Sequence, residues 1–332
     1  MKDSRIDGIS YSFKVAIRQQ MLLLWKPGNT LSGAIISIGL IGLFFIGFAL
    51  LLNSFARSLF EVKIRYDDVC SRLKDCSVEI TLDNDVTAPI FFYYYLPTFF
   101  QNHRQMIEKK SYTQLSGLDI ASVNLTSCDP VLLNSNLSTK QSIGNNFLNP
   151  TDVAYPCGGY ARAFFNGSIC LILDTFSMTY LETNSRITLT SKGIAYPPDL
   201  QRYANMAGTL KLTRQWVDVT DERFAVWMRT SPSSAVKKLW ARIDANVLKK
   251  GRYNISIQNN WYNERFNTEK WIIINQVNAF GGKNIPLANS FAMAGSACIF
   301  ACLLLGVRKF IRKRGILRAH LNLLKRAKLN EF

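Results

Sequence analysis

The chain has 332 residues, 48% hydrophobic and 19% charged, with 40 Lys and Arg against 23 Asp and Glu and a formal net charge of +17. In a soluble protein that excess would point to nucleic acid. Here about +3 of it sits in the first 28 residues and about +8 in the last 25, each beside a long apolar run, so nucleic acid is excluded as a partner and anionic cytoplasmic lipid is not.

Residues 1–30 read as a cytoplasmic tail. Phe13, Ile17, Gln20, Met21 and Leu24 fall at helical spacing, and Trp25 stands where an aromatic anchor meets headgroups. This predicts an amphipathic helix lying on the membrane surface or on a partner, broken by Lys26-Pro27-Gly28-Asn29. Residues 31–52 follow without a charge, and at about 20 residues such a run crosses a hydrocarbon core. It follows a long polar tail and lacks a small-residue cleavage site, which excludes a signal peptide.

Residues 53–284 read as one large mainly-β domain, an antiparallel sandwich with long loops. Phe60, Val62, Ile64 and Tyr66 alternate with charged residues, and Val78, Ile80, Leu82 and Tyr253, Ile255, Ile257 repeat the period of two. Phe91–Tyr95, Phe224–Met228 and Trp271–Ile274 are short β-rich runs, whereas Gln101–Lys110 and Ala235–Leu248 are predicted helices. Leu115–Tyr155, rich in Asn, Ser and Thr, is predicted as a long loop. All four sequons, at Asn124, Asn136, Asn166 and Asn254, lie in this region, as do five of the seven cysteines: Cys70, Cys76, Cys128, Cys157 and Cys170. Both features place the domain in an oxidising, glycosylating compartment, where such cysteines pair.

Residues 285–307 form the second uncharged run, and residues 308–332 a basic amphipathic tail able to lie on anionic lipid. Arg308, Lys309, Arg312, Lys313, Arg314 and Arg318 follow this run, against only Lys270 and Lys283 before it, so the C-terminus is cytoplasmic. Two spans return the N-terminus to the same side. Within the spans Ala288, Ala292 and Ser296 recur every fourth residue, and Gly33, Ser37, Gly39, Gly42 and Gly47 offer small surfaces in the first. Small residues at such spacing allow close helix packing, between the two spans or with a partner's helix. Cys298 and Cys302 share one face and read as small packing residues.

Catalytic chemistry is missing. With only His103 and His320, a zinc site built on several histidines is excluded, and a Ser-His-Asp triad or a Cys-His pair in the large domain would have to use His103. No glycine loop for phosphate is present, and two spans without an intramembrane charge make no transport path alone. The residues therefore support no catalytic, cofactor or metal site. A glycosylated cell-surface receptor or adhesin is the alternative of a different class, and an ectoenzyme using His103 a third.

Several segments resemble one family, the non-catalytic β-subunits of type-IV P-type ATPases, the P4-ATPase lipid flippases. They are RQQMLLLWKP (residues 18–27), YYYLPTFFQNHR (93–104), SYTQLSG (111–117), YPCGGYARAFFN (155–166), GIAYPPD (193–199), FAVWMRT (224–230) and FGGKN (280–284), in the family's order. The chain departs in having two cysteines in its first cluster where relatives often have more, Gly167 after Asn166 where Asp is usual, and Tyr196 for a usual Trp.

The resemblance implies an accessory subunit that binds a large catalytic α-subunit P4-ATPase as a heterodimer, permits its exit from the endoplasmic reticulum and supports phospholipid translocation. Location in the endoplasmic reticulum, Golgi, endosomes and plasma membrane follows from it. It also implies disulfides Cys128–Cys157, which would close the long loop at about 3 kcal/mol or somewhat more, and Cys70–Cys76, stapling a hairpin, with Cys170 left over. Asn102, His103, Arg104, Trp227, Arg229, Gly281, Gly282 and Lys283 are the implied contact or conformation-bearing residues, core packing being the competing role for the aromatic one.

Overall fold

A computed structural model describes residues 5–6, 9–10, 30–71, 73–120, 125–137, 139–164, 175–260 and 267–329. The expected helix over Phe13–Leu24, the Trp25 anchor, Asn124, Asn166 and Cys170 lie outside these residues. In chain order the elements begin with β1 (Arg5–Ile6), β2 (Ile9–Ser10), α1 (Leu31–Ser58), β3 (Glu61–Arg65), β4 (Asp75–Leu82), β5 (Val86–Thr87) and β6 (Ile90–Leu96). Next come α2 (Arg104–Ile107), α3 (Tyr112–Leu115), α4 (Gly159–Phe164), β7 (Thr175–Tyr180), β8 (Ser185–Ile187) and β9 (Leu189–Thr190). The remainder are α5 (Pro197–Leu200), α6 (Leu210–Thr213), α7 (Glu222–Met228), β10 (Val236–Ile243), β11 (Val247–Leu248), β12 (Gly251–Gln258), β13 (Trp271–Gln276) and α8 (Ile285–Leu329). Two compact units result, Met1–Asn53 with Ile285–Phe332, and Ser54–Asn284.

In the first unit, α1 and the Ile285–Arg318 part of α8 are long and apolar enough to cross a membrane. Leu40, Phe44, Leu50, Met293, Phe300 and Leu303 all stand exposed. A soluble protein would bury such side chains, each worth about 1.5–3 kcal/mol, so this belt suits hydrocarbon and the chain is a membrane protein. Both helices outrun their apolar stretches, α1 to Ser58 and α8 through the basic segment to Leu329.

Where the two helices pack, the glycines decide the distance. A Cβ on Gly295 would lie 2.7 Å from Ile46 Cγ1 and 3.0 Å from the Gly42 carbonyl oxygen, and one on Gly42 would lie 3.0 Å from Cys298 Cβ. Phe291 sets its edge on Phe48, with ring centroids 5.0 Å apart, and the Cys302 thiol donates to the Ile35 carbonyl at 3.3 Å. Both cysteines are thus half-buried in the helix contact. Gly295→Val is expected to push the helices apart and cost about 1–3 kcal/mol. A lowered unfolding midpoint in detergent, with Gly306→Val (no neighbour near its added Cβ) unchanged, is the measurement that checks it.

The second unit is a sandwich. Its five-stranded sheet has the order β3-β13-β6-β10-β9 and its four-stranded sheet the order β4-β12-β7-β8, every pairing antiparallel. Alternation explains the layers: Ile90, Phe92, Tyr94 and Leu96 of β6 face inward with Ile272 and Ile274 of β13, and Tyr253, Ile255 and Ile257 of β12 do so from the other sheet. Phe176 of β7 joins the sheets, its ring 5.0 Å from Phe92 and 5.1 Å from Trp240. A small satellite core of Leu125, Cys128, Ala154 and Cys157 anchors the long Leu115–Tyr155 connection, whose Cys128 is disulfide-bonded to Cys157 just beyond its end.

Three expectations are corrected. Phe224–Met228 is helical, because Asp221 caps α7 by accepting the Arg223 N–H at 2.7 Å and Phe224, Trp227 and Met228 fall on one buried face. Ala235–Leu248 holds strand β10 rather than a helix. A bulge between Leu239 and Ala241 shifts its phase by one, so the buried positions Val236, Trp240 and Ile243 imitate helical spacing. Cys70–Cys76 staples no hairpin, since β3 and β4 belong to different sheets and the disulfide closes the crossover between them.

Candidate partner-docking site

Five of the quoted segments converge on a helical layer beside the five-stranded sheet. Trp227 of α7 is 0% exposed, its ring centroid 5.5 Å from Phe99 and 6.2 Å from Phe164, and its indole N–H donates to the Tyr160 carbonyl at 3.1 Å. Gln101, fully buried, donates to the Trp227 carbonyl at 2.8 Å and accepts the Ser231 N–H at 2.9 Å. Asn102 then donates to the Pro232 carbonyl at 3.2 Å. The turn before α2 is thereby pinned to the turn after α7, 126 residues away along the chain.

Two further hubs hold the layer. Gln114 accepts the Cys157 N–H at 2.7 Å and donates to the Ala154 carbonyl at 3.3 Å, while the Tyr155 hydroxyl donates to the Gln114 carbonyl. Glu222 accepts the N–H groups of Gly193, Ile194 and Ala195 at 2.9, 2.7 and 2.9 Å, which folds the GIAYPPD segment onto α7. Burial alone would raise the Glu222 carboxyl, and those three amides outweigh it and hold it below its ordinary value. Gln101, Gln114 and Glu222 were not among the residues singled out from sequence. The available signal was polar side chains amid apolar neighbours, in FFQNHR and YTQLSG, and an acid right after a capping Asp.

The layer presents a surface of rings and cations. Tyr112 is 67% and Tyr196 53% exposed. The Arg229 guanidinium lies 4.6 Å over Tyr196 and 3.6 Å from Asp199, and Lys110 sits 5.0 Å over Tyr112 and 4.4 Å over Tyr160. Asn102, His103 and Arg104 are exposed beside it, and His103 opens α2 without a side-chain cap bond. Of the sequence candidates, Asn102, His103, Arg104 and Arg229 therefore share one surface, with Trp227 buried beneath it. Gly281, Gly282 and Lys283 stand apart. They form the turn after β13, with Gly281 at φ +96° and a Cβ on Gly282 overlapping the Asn275 amide. Asn275 pairs with Phe91, whereas Gln101 follows the opposite end of β6, and a seven-residue strand spans about 20 Å.

Beneath the surface, Lys238 donates to the Arg229 carbonyl. Burial first, then the charges of Arg229 and Lys110, lowers its ammonium to about 8. Below pH 8 it is charged in folded and unfolded chains alike. Between about 8 and 10.5 the unfolded chain holds more protons, so stability rises with pH through that window, by at most about 3 kcal/mol. Denaturant unfolding of the full chain in detergent is expected to show this gain between pH 7 and 10 relative to Lys238→Met. An equal pH slope in the two proteins would overturn it.

The arrangement defines a class: a membrane protein whose chain combines two helices long and apolar enough to cross a bilayer with a mainly-β antiparallel sandwich. Residues 52–315 match the LEM3 (ligand-effect modulator 3) family / CDC50 family, and the chain belongs to that family. It is 26% identical over 322 residues to cell cycle control protein 50A of Bos taurus, covering 85% of this chain and 84% of that one. Putative ALA-interacting subunit 2 of Arabidopsis thaliana is 26% identical over 325 residues, with 89% and 86% covered. The phospholipid-transporting ATPase accessory subunit CDC50 of Chaetomium thermophilum is 25% identical over 244 residues, covering 68% and 57%.

Proposed function

We propose that this chain is the non-catalytic accessory β-subunit of a P4-ATPase phospholipid flippase, required for the folding, export from the endoplasmic reticulum and transport cycle of the catalytic α-subunit. The observation that carries the reading is the family match across residues 52–315, from the end of the first span through the second. A relative named as a phospholipid-transporting ATPase accessory subunit supports it. The chain is not itself an enzyme; the ATPase performs the chemistry.

In this reading residues 1–30 and 308–332 are cytoplasmic tails, 31–52 and 285–307 the membrane spans, and 53–284 the extracytoplasmic domain, and the complex moves among endoplasmic reticulum, Golgi, endosomes and plasma membrane. The basic tail after the second span lies on anionic lipid. Asn124, Asn136, Asn166 and Asn254 carry glycans. Asn254 suits this on the outer face of β12, and the Asn136 carbonyl oxygen accepts the Leu133 N–H at 3.0 Å, leaving its amide nitrogen without a partner among the described residues. The Tyr112–Tyr196–Arg229 surface, with Asn102, His103 and Arg104, docks on the ATPase's extracytoplasmic loops, since Tyr and Arg anchors carry most interface energy. Gly281, Gly282 and Lys283 shape the chain's entry into the second span.

Affinity purification from native membranes in mild detergent tests the proposal. A multi-pass ATPase is expected at about one-to-one stoichiometry, and Arg229→Ala with Tyr196→Ala is expected to weaken its capture by about tenfold or more without lowering the chain's own unfolding midpoint. A chain that elutes alone, while every such ATPase is correctly located without it, would sink the reading in favour of a surface receptor or adhesin.

A further inference from the structure

A second polar site lies in the sandwich, at the N-terminal end of α7. A cavity of about 410 Å³ opens where β7 and β8 of one sheet meet β9 and β10 of the other. Phe176 and Trp240 line its apolar walls, and Arg186, Arg223, Ser177 and Thr188 contribute its polar groups. No carboxylate lines it among the described residues.

Arg223 is held for use. Its guanidinium lies 3.8 Å over the Trp240 ring, and its Nε donates to the Trp240 carbonyl at 3.1 Å. Those two contacts set the plane of the fork and leave both terminal nitrogens without a protein acceptor among the described residues. Asp221, the acid whose charge acts on it, accepts the Arg223 backbone N–H as the cap of α7. Burial lowers the guanidinium from its ordinary value and Asp221 opposes this, yet an arginine stays charged at physiological pH. A half-buried cation with no carboxylate on its terminal nitrogens among the described residues keeps those donors for an anion in the cavity. Arg186, exposed at the rim, adds a second fork without an acidic partner among the described residues.

We propose that this cavity binds a phosphate ester, its phosphate between Arg186 and Arg223 and its organic stem against Phe176 and Trp240. Two planar guanidinium forks match the oxygens of a phosphate, the exposed Thr188 hydroxyl supplies a further donor, and the rings accommodate the stem. The ester comes either from a phospholipid headgroup or from a soluble phosphorylated metabolite or glycan.

The test is titration calorimetry on the full chain in phosphatidylcholine nanodiscs, using phenyl phosphate, glycerophosphoserine and inorganic phosphate as probes. Saturable one-to-one binding of an ester at millimolar or tighter affinity is expected, weakened by about tenfold or more in Arg186→Gln and in Arg223→Gln. Arg242→Gln, on exposed β10 surface, should bind as the wild type does. Tighter binding of glycerophosphoserine than of phenyl phosphate supports the lipid source, and the reverse order a soluble ester; inorganic phosphate binding as tightly as both would overturn the role of the stem. Because Arg223 also packs on Trp240, the exposed Arg186→Gln variant, with an unchanged unfolding midpoint, keeps the test independent of folding. No saturable heat up to about 10 mM of any probe, or wild-type affinity in Arg186→Gln and Arg223→Gln, overturns the proposal.

Discussion

Trp227→Ala is expected to destabilise the large domain by about 3–5 kcal/mol, a large share of what a domain of ordinary stability has. The side chain is wholly buried, so truncation leaves a cavity among Phe99, Tyr160 and Phe164 and strips the Tyr160 carbonyl of its indole donor. Trp227→Phe keeps most of the packing and should lose far less, about 1–2 kcal/mol for the missing hydrogen bond and ring volume. Arg229→Ala, two residues on, should change stability by no more than about 0.5 kcal/mol, because the Arg229 side chain is largely exposed and lies 3.6 Å from Asp199. Unfolding midpoints of the three variants in detergent separate the roles. A Trp227→Ala protein with the wild-type midpoint that fails only in capturing its partner would place Trp227 at the interface and refute the packing argument.

Gly158→Ala is expected to cost about 3 kcal/mol or more and to impair formation of the neighbouring disulfide. Gly158 sits at φ +104°, outside the range of L side chains, at about 1–3 kcal/mol for a residue with a Cβ. The steric problem adds to this: the new Cβ would overlap the Lys109 carbonyl oxygen and lie 2.8 Å from its carbon and 3.0 Å from Lys110 Cα. Little can yield, since the Gly158 N–H is bonded to the Val131 carbonyl at 2.9 Å and the Lys109 carbonyl accepts the Tyr160 N–H at 3.1 Å. Cys157 precedes it, so displacement moves one partner of Cys128–Cys157. A raised free-thiol fraction and a lowered midpoint are the expected readouts. Gly193→Ala is the control, having φ +74° but open space around its Cβ, and should show only the smaller conformational cost.

Much of the architecture was legible along the chain because the physics that writes it is local. Two uncharged runs long enough for a bilayer, the alternation in β3, β4 and β12, and the concentration of sequons and cysteines between the runs each depend on a residue and its near neighbours. Where a local pattern was interrupted, the reading failed. One bulge between Leu239 and Ala241 turned a period of two into something helical, and a single cap at Asp221 turned an apolar run into α7.

What no local pattern could supply is adjacency. Gln101 meets Trp227 across 126 residues, Gln114 meets Cys157 across 43, and Glu222 reaches back 27 to 29 residues to hold three successive amides. The sequence alone determined that the chain is membrane-bound, mainly β and without a constellation of catalytic residues, since composition and periodicity report which surfaces meet water, lipid or core. Only the tertiary structure decided that Trp227 supports a surface instead of forming it, that Arg229 and Tyr196 are presented together, and that Arg223 faces a cavity over Trp240. Those outcomes rest on which buried polar groups find partners, and in a fold joined by long-range pairing the partner is set by packing and not by spacing.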